Sequence, residues 1–314
     1  MKIVITDRAT LGEGIDLGLI GAFGKLVIYP HTNHKELLER IADADVLICN
    51  KTVVDKEALD AAKNLRCILL FATGYNNIDT SYAAQRGVAV CNAGQYSTYA
   101  VAQHTFALIL RQANRAAEYS DFVLDGGWIR SPLFSAFEYS THELYSKTLG
   151  IIGFGSIGRT VCDIALAFGM KVLVYTRTPK DDPRVEFVSF DTLLENSDYI
   201  SVHCPLTDKT AKMFNASAFE KCKDGAFFVN TSRGGVVDEI ALADALSSGK
   251  LSGASLDVLA TEPMSPECPL IGAKNLTLTP HVAWIPVETR QRLIGIVADN
   301  LKSFLEGNPK NKVN

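Results

Sequence analysis

Residues 148–175 constrain this chain more than any other stretch. The apolar run Thr148-Leu149-Gly150-Ile151-Ile152 leads into Gly153-Phe154-Gly155-Ser156-Ile157-Gly158. Val161, Ile164, Ala165 and Phe168 then recur at helical spacing, Gly169 stands at a helix stop, and Lys171-Val172-Leu173-Val174-Tyr175 is a second apolar run. Strand, glycine turn, helix and strand make a βαβ unit. The three glycines have separate jobs: a tight turn, close approach of a diphosphate to the backbone, and close packing of helix on strand. Free N–H groups at a helix start favour an anion. The framed GxGxxG therefore predicts a dinucleotide site at Gly153, Gly155, Ser156, Ile157 and Gly158; an unframed one would be an ordinary tight turn.

At 314 residues the chain has room for two domains. Its apolar content of 47% fits a large core, and its net charge of −4, with scattered basic residues, argues against nucleic acid as a main partner. No apolar run approaches the ~20 residues that span a bilayer. Met1-Lys2-Ile3-Val4-Ile5-Thr6-Asp7 is too short an apolar run for a signal peptide and reads as a first strand, which favours the cytoplasm. Seven cysteines without a CxxC pair, several of them in apolar runs (Cys49, Cys67, Cys91, Cys204), are expected as buried, reduced thiols. His31 and His34 lie in a polar turn without further ligands, so no metal is expected.

Residues 1 to about 98 alternate strands (2–7, 25–30, 46–50, 67–73, 87–92) with helical stripes such as Leu37, Leu38, Ile41 and Ala58, Leu59, Ala62, Leu65. That rhythm predicts a parallel sheet covered on both faces. The loop Ala72-Thr73-Gly74-Tyr75-Asn76-Asn77 follows a strand end, where open parallel sheets bind ligands; a plain loop is the alternative. One long helix is expected from Ser97 towards Asp125-Gly126-Gly127. An aromatic stretch follows, with Trp128, Phe134, Phe137, Tyr139 and Tyr145, which could cover a domain, a substrate or a second subunit. Further strands are expected near 149–153, 171–176, 199–204, 226–231, 253–258 and 276–280, then a final helix carrying Leu293, Ile296, Val297, Leu301 and Phe304.

Three strand ends in the second half carry polar residues that a packed core would not choose. They are Asn230-Thr231-Ser232-Arg233-Gly234-Gly235, Asp257-Val258-Leu259-Ala260-Thr261-Glu262 and Thr279-Pro280-His281. Alone, Arg233 could be a solvated arginine and His281 a structural histidine. A cation, a carboxylate and an imidazole leaving one edge of one sheet point to a shared catalytic site.

Together with Gly74-Tyr75-Asn76-Asn77-Ile78-Asp79, Val101-Ala102-Gln103-His104-Thr105 and Pro280-His281-Val282-Ala283-Trp284, these segments resemble the D-2-hydroxyacid dehydrogenase family, in particular its glycerate dehydrogenases or hydroxypyruvate reductases. The resemblance implies two doubly wound parallel-sheet α/β domains: a Rossmann-type cofactor domain over 99–282 and a flavodoxin-like substrate domain over 1–98 plus 283–314. It implies NAD(P)H-dependent reduction of a small 2-oxo acid, hydroxypyruvate or glyoxylate, to the D-2-hydroxy acid. Arg233 resembles the arginine that grips the substrate carboxylate, helped by backbone N–H groups at Thr73 and Gly74. His281 resembles the acid/base and Glu262 the carboxylate that holds its ring; a formate dehydrogenase would carry glutamine there. Asp257 would take the nicotinamide carboxamide, with Thr98, Thr231, Ser232 and Ala283 nearby. His203, Cys204 and Pro205 would lie by the adenosine half, though His203 also reads as an interior residue.

One departure bears on the coenzyme. Enzymes that favour NAD place an acid at the end of the second strand, about twenty residues past the glycines. Here that strand ends Tyr175-Thr176-Arg177-Thr178. NADP(H) is therefore expected to serve at least as well as NAD(H), with Thr176 and Arg177 at the 2′ position, unless Arg177 is a plain surface residue. A D-lactate or phosphoglycerate dehydrogenase is an alternative, the long phosphoglycerate type being disfavoured by a chain ending at Asn314. A non-enzymatic dinucleotide-sensing corepressor is another. A homodimer built on the helix from Ser97 is the family expectation.

Overall fold

The structure is a computed structural model that describes residues 1–179 and 182–314. The chain divides into two compact units, one of Met1–Ser97 with Trp284–Asn314 and one of Thr98–Ala283.

In the first unit five parallel strands lie in the order β2-β1-β3-β4-β5: β1 Lys2–Ile5, β2 Lys25–Ile28, β3 Val46–Cys49, β4 Cys67–Leu70 and β5 Ala89–Cys91. Alternate side chains serve opposite faces. Ile3, Ile5, Val46, Ile48, Cys67 and Leu69 pack into one cluster, whereas Val4, Leu47, Cys49, Ile68 and Leu70 pack into the other. Both faces are covered, which is why β3, β4 and β5 are apolar throughout rather than alternating. The helix Val287–Leu305 supplies Leu293, Ile294, Val297 and Leu301 to the first cluster. At roughly 1.5–3 kcal/mol per buried aliphatic side chain, those four contacts tie the C-terminal segment to this sheet.

The second unit holds seven parallel strands in the order β12-β11-β10-β9-β6-β7-β8. They are β6 Thr148–Ile152, β7 Lys171–Tyr175, β8 Glu186–Phe187, β9 Tyr199–Val202, β10 Ala226–Asn230, β11 Leu251–Leu256 and β12 Leu276–Leu278. From β6 the chain runs outwards to β7 and β8, then returns to build β9 to β12 on the other side. The strand order thus reverses between β6 and β9, the place where such sheets bind ligands. One face is anchored by Phe214, Phe219 and Phe228, whose ring centroids lie 4.8–6.0 Å apart.

Two local features differ from the periodicity. The helix expected to run unbroken from Ser97 is two, Thr98–Asn114 and Ala116–Leu124, broken at Arg115, whose φ of 51° is left-handed. The apolar spacing continues across the break, so periodicity alone cannot register it. The edge strand β8 is only two residues long, too short to leave an alternation signal. All seven cysteines are free and buried. Among the described residues no helix is long and apolar enough to cross a membrane and no group of side chains is suited to a metal.

Candidate active site

The glycine turn lies at the strand reversal. Gly153 has φ +93°, and a Cβ there would come 2.7 Å from backbone atoms of His203 and Cys204. Only glycine permits that backbone and that approach. A Cβ on Gly158 would collide with the Gly153 carbonyl oxygen, so the helix Ser156–Ala167 can sit this close to β6 only without a side chain there. Gly155 is different: a Cβ would meet nothing within 4 Å, and no side chain caps the helix. The open space in front of uncapped helical N–H groups fits a diphosphate. Thr98, at the start of the long helix, donates through Oγ1 to Ser156 Oγ at 3.3 Å. The turn, its helix and Thr98 would hold the dinucleotide that this fold implies, and when bound its nicotinamide supplies the hydride.

His203 follows β9 and accepts or donates through Nε2 to Ser201 Oγ at 2.8 Å, while its buried Nδ1 has no partner among the described residues. Burial drives its pKa down to about 3, so the ring is neutral. Cys204 is buried and Pro205 exposed. Thr176 and Arg177 follow β7, with Arg177 exposed.

The candidate chemistry lies at the C-terminal ends of β10, β11 and β12, three neighbouring strands spaced ~4.8 Å apart. After β10, buried Asn230 shapes the turn: its Oδ1 accepts from Ser232 N and Oγ, and its Nδ2 donates to Arg233 O at 2.9 Å. Thr231 is buried, its hydroxyl 3.0 Å from that of Thr105. Arg233 is exposed, and its Nη1 donates to Ser232 O at 2.7 Å. After β11, Glu262 Oε1 accepts from Leu259 N at 3.0 Å, and its other oxygen reaches His281 Nδ1 at 2.7 Å. With Nδ1 engaged, Nε2 is the nitrogen left to exchange a proton.

His281 has a left-handed backbone, φ 56°, unusual for a residue with a side chain. Asp257 over-determines it. Its carbonyl accepts from His281 N at 2.8 Å, and its carboxylate accepts from Val282 N and Ala283 N, both at 2.9 Å, and from Thr279 Oγ1 at 2.5 Å. Asp257 is 1% exposed. Burial alone would raise its pKa, but the hydrogen bonds from His104, Thr279 and the two backbone N–H groups outweigh that and keep it below the ordinary carboxylate range. The resemblance assigns this carboxylate to the nicotinamide carboxamide; what the structure displays is a buried brace for the turn that carries His281. His104 joins it, its Nε2 3.1 Å from Thr279 Oγ1 and 3.4 Å from Asp257 Oδ1.

Asn230, Thr279 and His104 escaped the residue-by-residue reading. A polar residue at a strand end is the available signal for the first two; nothing in helical spacing marks His104. In the first unit, Thr73 Oγ1 donates to Gly94 O at 2.5 Å and Asn92 Nδ2 donates to Thr73 O at 2.8 Å, which fixes the loop after β4. Gly74 follows it, half-buried.

An α/β sheet with a glycine turn at its strand reversal and an Arg, Glu and His at adjacent strand ends defines a dinucleotide-dependent oxidoreductase. The chain belongs to the D-isomer specific 2-hydroxyacid dehydrogenase family, whose NAD-binding domain matches residues 106–283. It is 40% identical over 321 residues to a hydroxypyruvate reductase of Blautia hydrogenotrophica, with 100% of both chains covered. It is 41% identical over 285 residues to a glyoxylate reductase of Thermococcus litoralis, covering 88% of this chain and 86% of that one. Its fold matches an acyclic imino acid reductase solved with NADPH and D-Arg, with a TM-score of 0.90, 29% identity and 100% of both chains covered.

Proposed function

We propose that this protein reduces a small 2-oxo acid, hydroxypyruvate or glyoxylate, to the D-2-hydroxy acid with NAD(P)H, and catalyses the reverse reaction. The 2.7 Å pairing of Glu262 with His281 carries this reading, since it leaves Nε2 to give a proton to the substrate oxygen as hydride arrives at carbon. Glu262 holds the ring and balances its charge. Arg233 grips the carboxylate through its planar fork. Asp257 keeps the His281 turn in place, and Ala283, Thr231, Ser232 and Thr98 line the nicotinamide half. His203 to Pro205 lie by the adenosine half. The names of the relatives support the substrate class.

With Arg177 and no acid in the strand end Tyr175-Thr176-Arg177-Thr178, NADPH serves at least as well as NADH. Free buried cysteines support a cytoplasmic setting. The first unit acts as the substrate domain and the second as the coenzyme domain. Large apolar side chains stand in water at Leu124, Ile129, Phe134 and Phe137, each more than 80% exposed, which supports a homodimer that covers them.

The test is coenzyme oxidation with a panel of 2-oxo acids. Turnover of hydroxypyruvate or glyoxylate at least tenfold above pyruvate and phosphohydroxypyruvate is expected. Preference for pyruvate would make the protein a D-lactate dehydrogenase. Coenzyme binding without turnover of any of them would make it a dinucleotide sensor.

A further inference from the structure

We infer that Glu239 is a positioning residue that holds the Glu262 loop in register with Arg233 and so sets the Glu262–His281 pair. The inference rests on the reading of that pair given above.

The loop after β11 is mostly solvent-exposed from Ala260 to Met264, so burial cannot fix where Glu262 stands. Its own Glu262–Leu259 bond closes a local turn without anchoring it to the rest of the unit. Glu239 supplies an anchor from a different element. It opens the helix Glu239–Ser247, and its Oε1 accepts the Ala260 N–H at 2.7 Å. The second oxygen, Oε2, lies 3.9 Å from the buried Cys268 thiol further along the same connection.

A second contact brings the same two segments together five residues earlier. A Cβ on Gly234 would overlap the backbone of Leu259 and Ala260, so the main chain next to Arg233 lies directly on the loop that carries Glu262. Close approach at Gly234 sets the spacing of the two segments, and Glu239 stops one sliding along the other. Without that carboxylate the loop keeps its local turn but loses its register, and Glu262 no longer meets Nδ1 at a fixed distance. A misplacement of ~1 Å in such a constellation costs on the order of 100-fold in rate.

The test compares Glu239→Ala with Glu239→Gln in the full-length protein, whose amide oxygen can still accept the Ala260 N–H. We expect the alanine variant to lose roughly 10- to 100-fold in kcat with 2-oxo acid, with coenzyme affinity within twofold. The glutamine variant should stay within about threefold of wild type. The proton between His281 Nδ1 and Glu262, assigned by its loss in His281→Gln, should give a downfield NMR resonance that broadens in Glu239→Ala and persists in Glu239→Gln. Undiminished kcat in the alanine variant, equal losses in both variants, or an unchanged resonance would overturn the inference. Should wild type reduce none of the 2-oxo acids, the proposed function fails, and the resonance alone still decides whether Glu239 holds the pair.

Discussion

His281 Nδ1 and Glu262 Oε2 are 2.7 Å apart, although 19 residues and a strand separate them. The imidazole sits on a left-handed residue braced by Asp257, and the carboxylate on a loop closed by its own bond to Leu259 and tied at Ala260 to Glu239. Each partner is placed from its own side, so the pair does not depend on the ion pairing to form. His281→Ala should therefore abolish turnover while leaving the coenzyme dissociation constant within about threefold of wild type. Coenzyme fluorescence titration checks this; loss of binding would mean that the histidine is structural.

Arg233 offers a planar fork, and lysine in its place a point charge. Arg233→Lys should reduce kcat/KM by about 100-fold, ~2.7 kcal/mol of transition-state binding. Steady-state kinetics near wild type would remove Arg233 from the site.

Asp257→Asn presents an amide N–H₂ where one of two carboxylate oxygens now accepts a backbone N–H. A buried N–H left unpaired costs about 1–3 kcal/mol. The variant should unfold several degrees lower, by calorimetry, and lose kcat because the His281 turn loosens. An unchanged melting temperature with impaired coenzyme binding would favour the carboxamide role instead.

His203 makes stability depend on acidity in a defined window. Its folded pKa of about 3 lies below the ~6.5 of an unfolded histidine, so between those values the unfolded chain binds the extra proton. Stability should therefore fall as pH drops from about 6.5 towards 3, with a limiting slope of ~1.4 kcal/mol per pH unit from this group. Urea titrations of His203→Gln at a series of pH values should show a shallower slope over that range. A slope equal to that of wild type would mean that the ring takes up a proton when folded.

Arg177→Ala should weaken NADPH about tenfold or more and leave NADH nearly unchanged, since only the 2′-phosphate needs the cation. Equal affinity for NADPH before and after the change would make Arg177 a surface residue.

Periodicity and punctuation carried much of this protein. Runs such as Val46–Cys49 and Cys67–Leu70 are apolar at every position because water reaches neither face, and a buried parallel strand leaves that mark in any order of assembly. The glycines at 153 and 158 were equally legible, because backbone conformation at the first and close approach at both exclude other residues locally. The break at Arg115 and the two-residue β8 left no comparable trace.

What the sequence by itself determined was the set of elements and the chemical groups at their ends, since both follow from interactions within a few residues. Only the tertiary structure decided which groups meet. His104 reaches Thr279 across 175 residues, Glu239 reaches Ala260 from another helix, and Asp257 turns out to be a buried brace. Those contacts are set by strand order and by the direction in which each loop leaves its strand. Neither quantity is written in the local pattern, because a hydrogen bond between distant residues demands only compatible side chains and leaves their separation along the chain free.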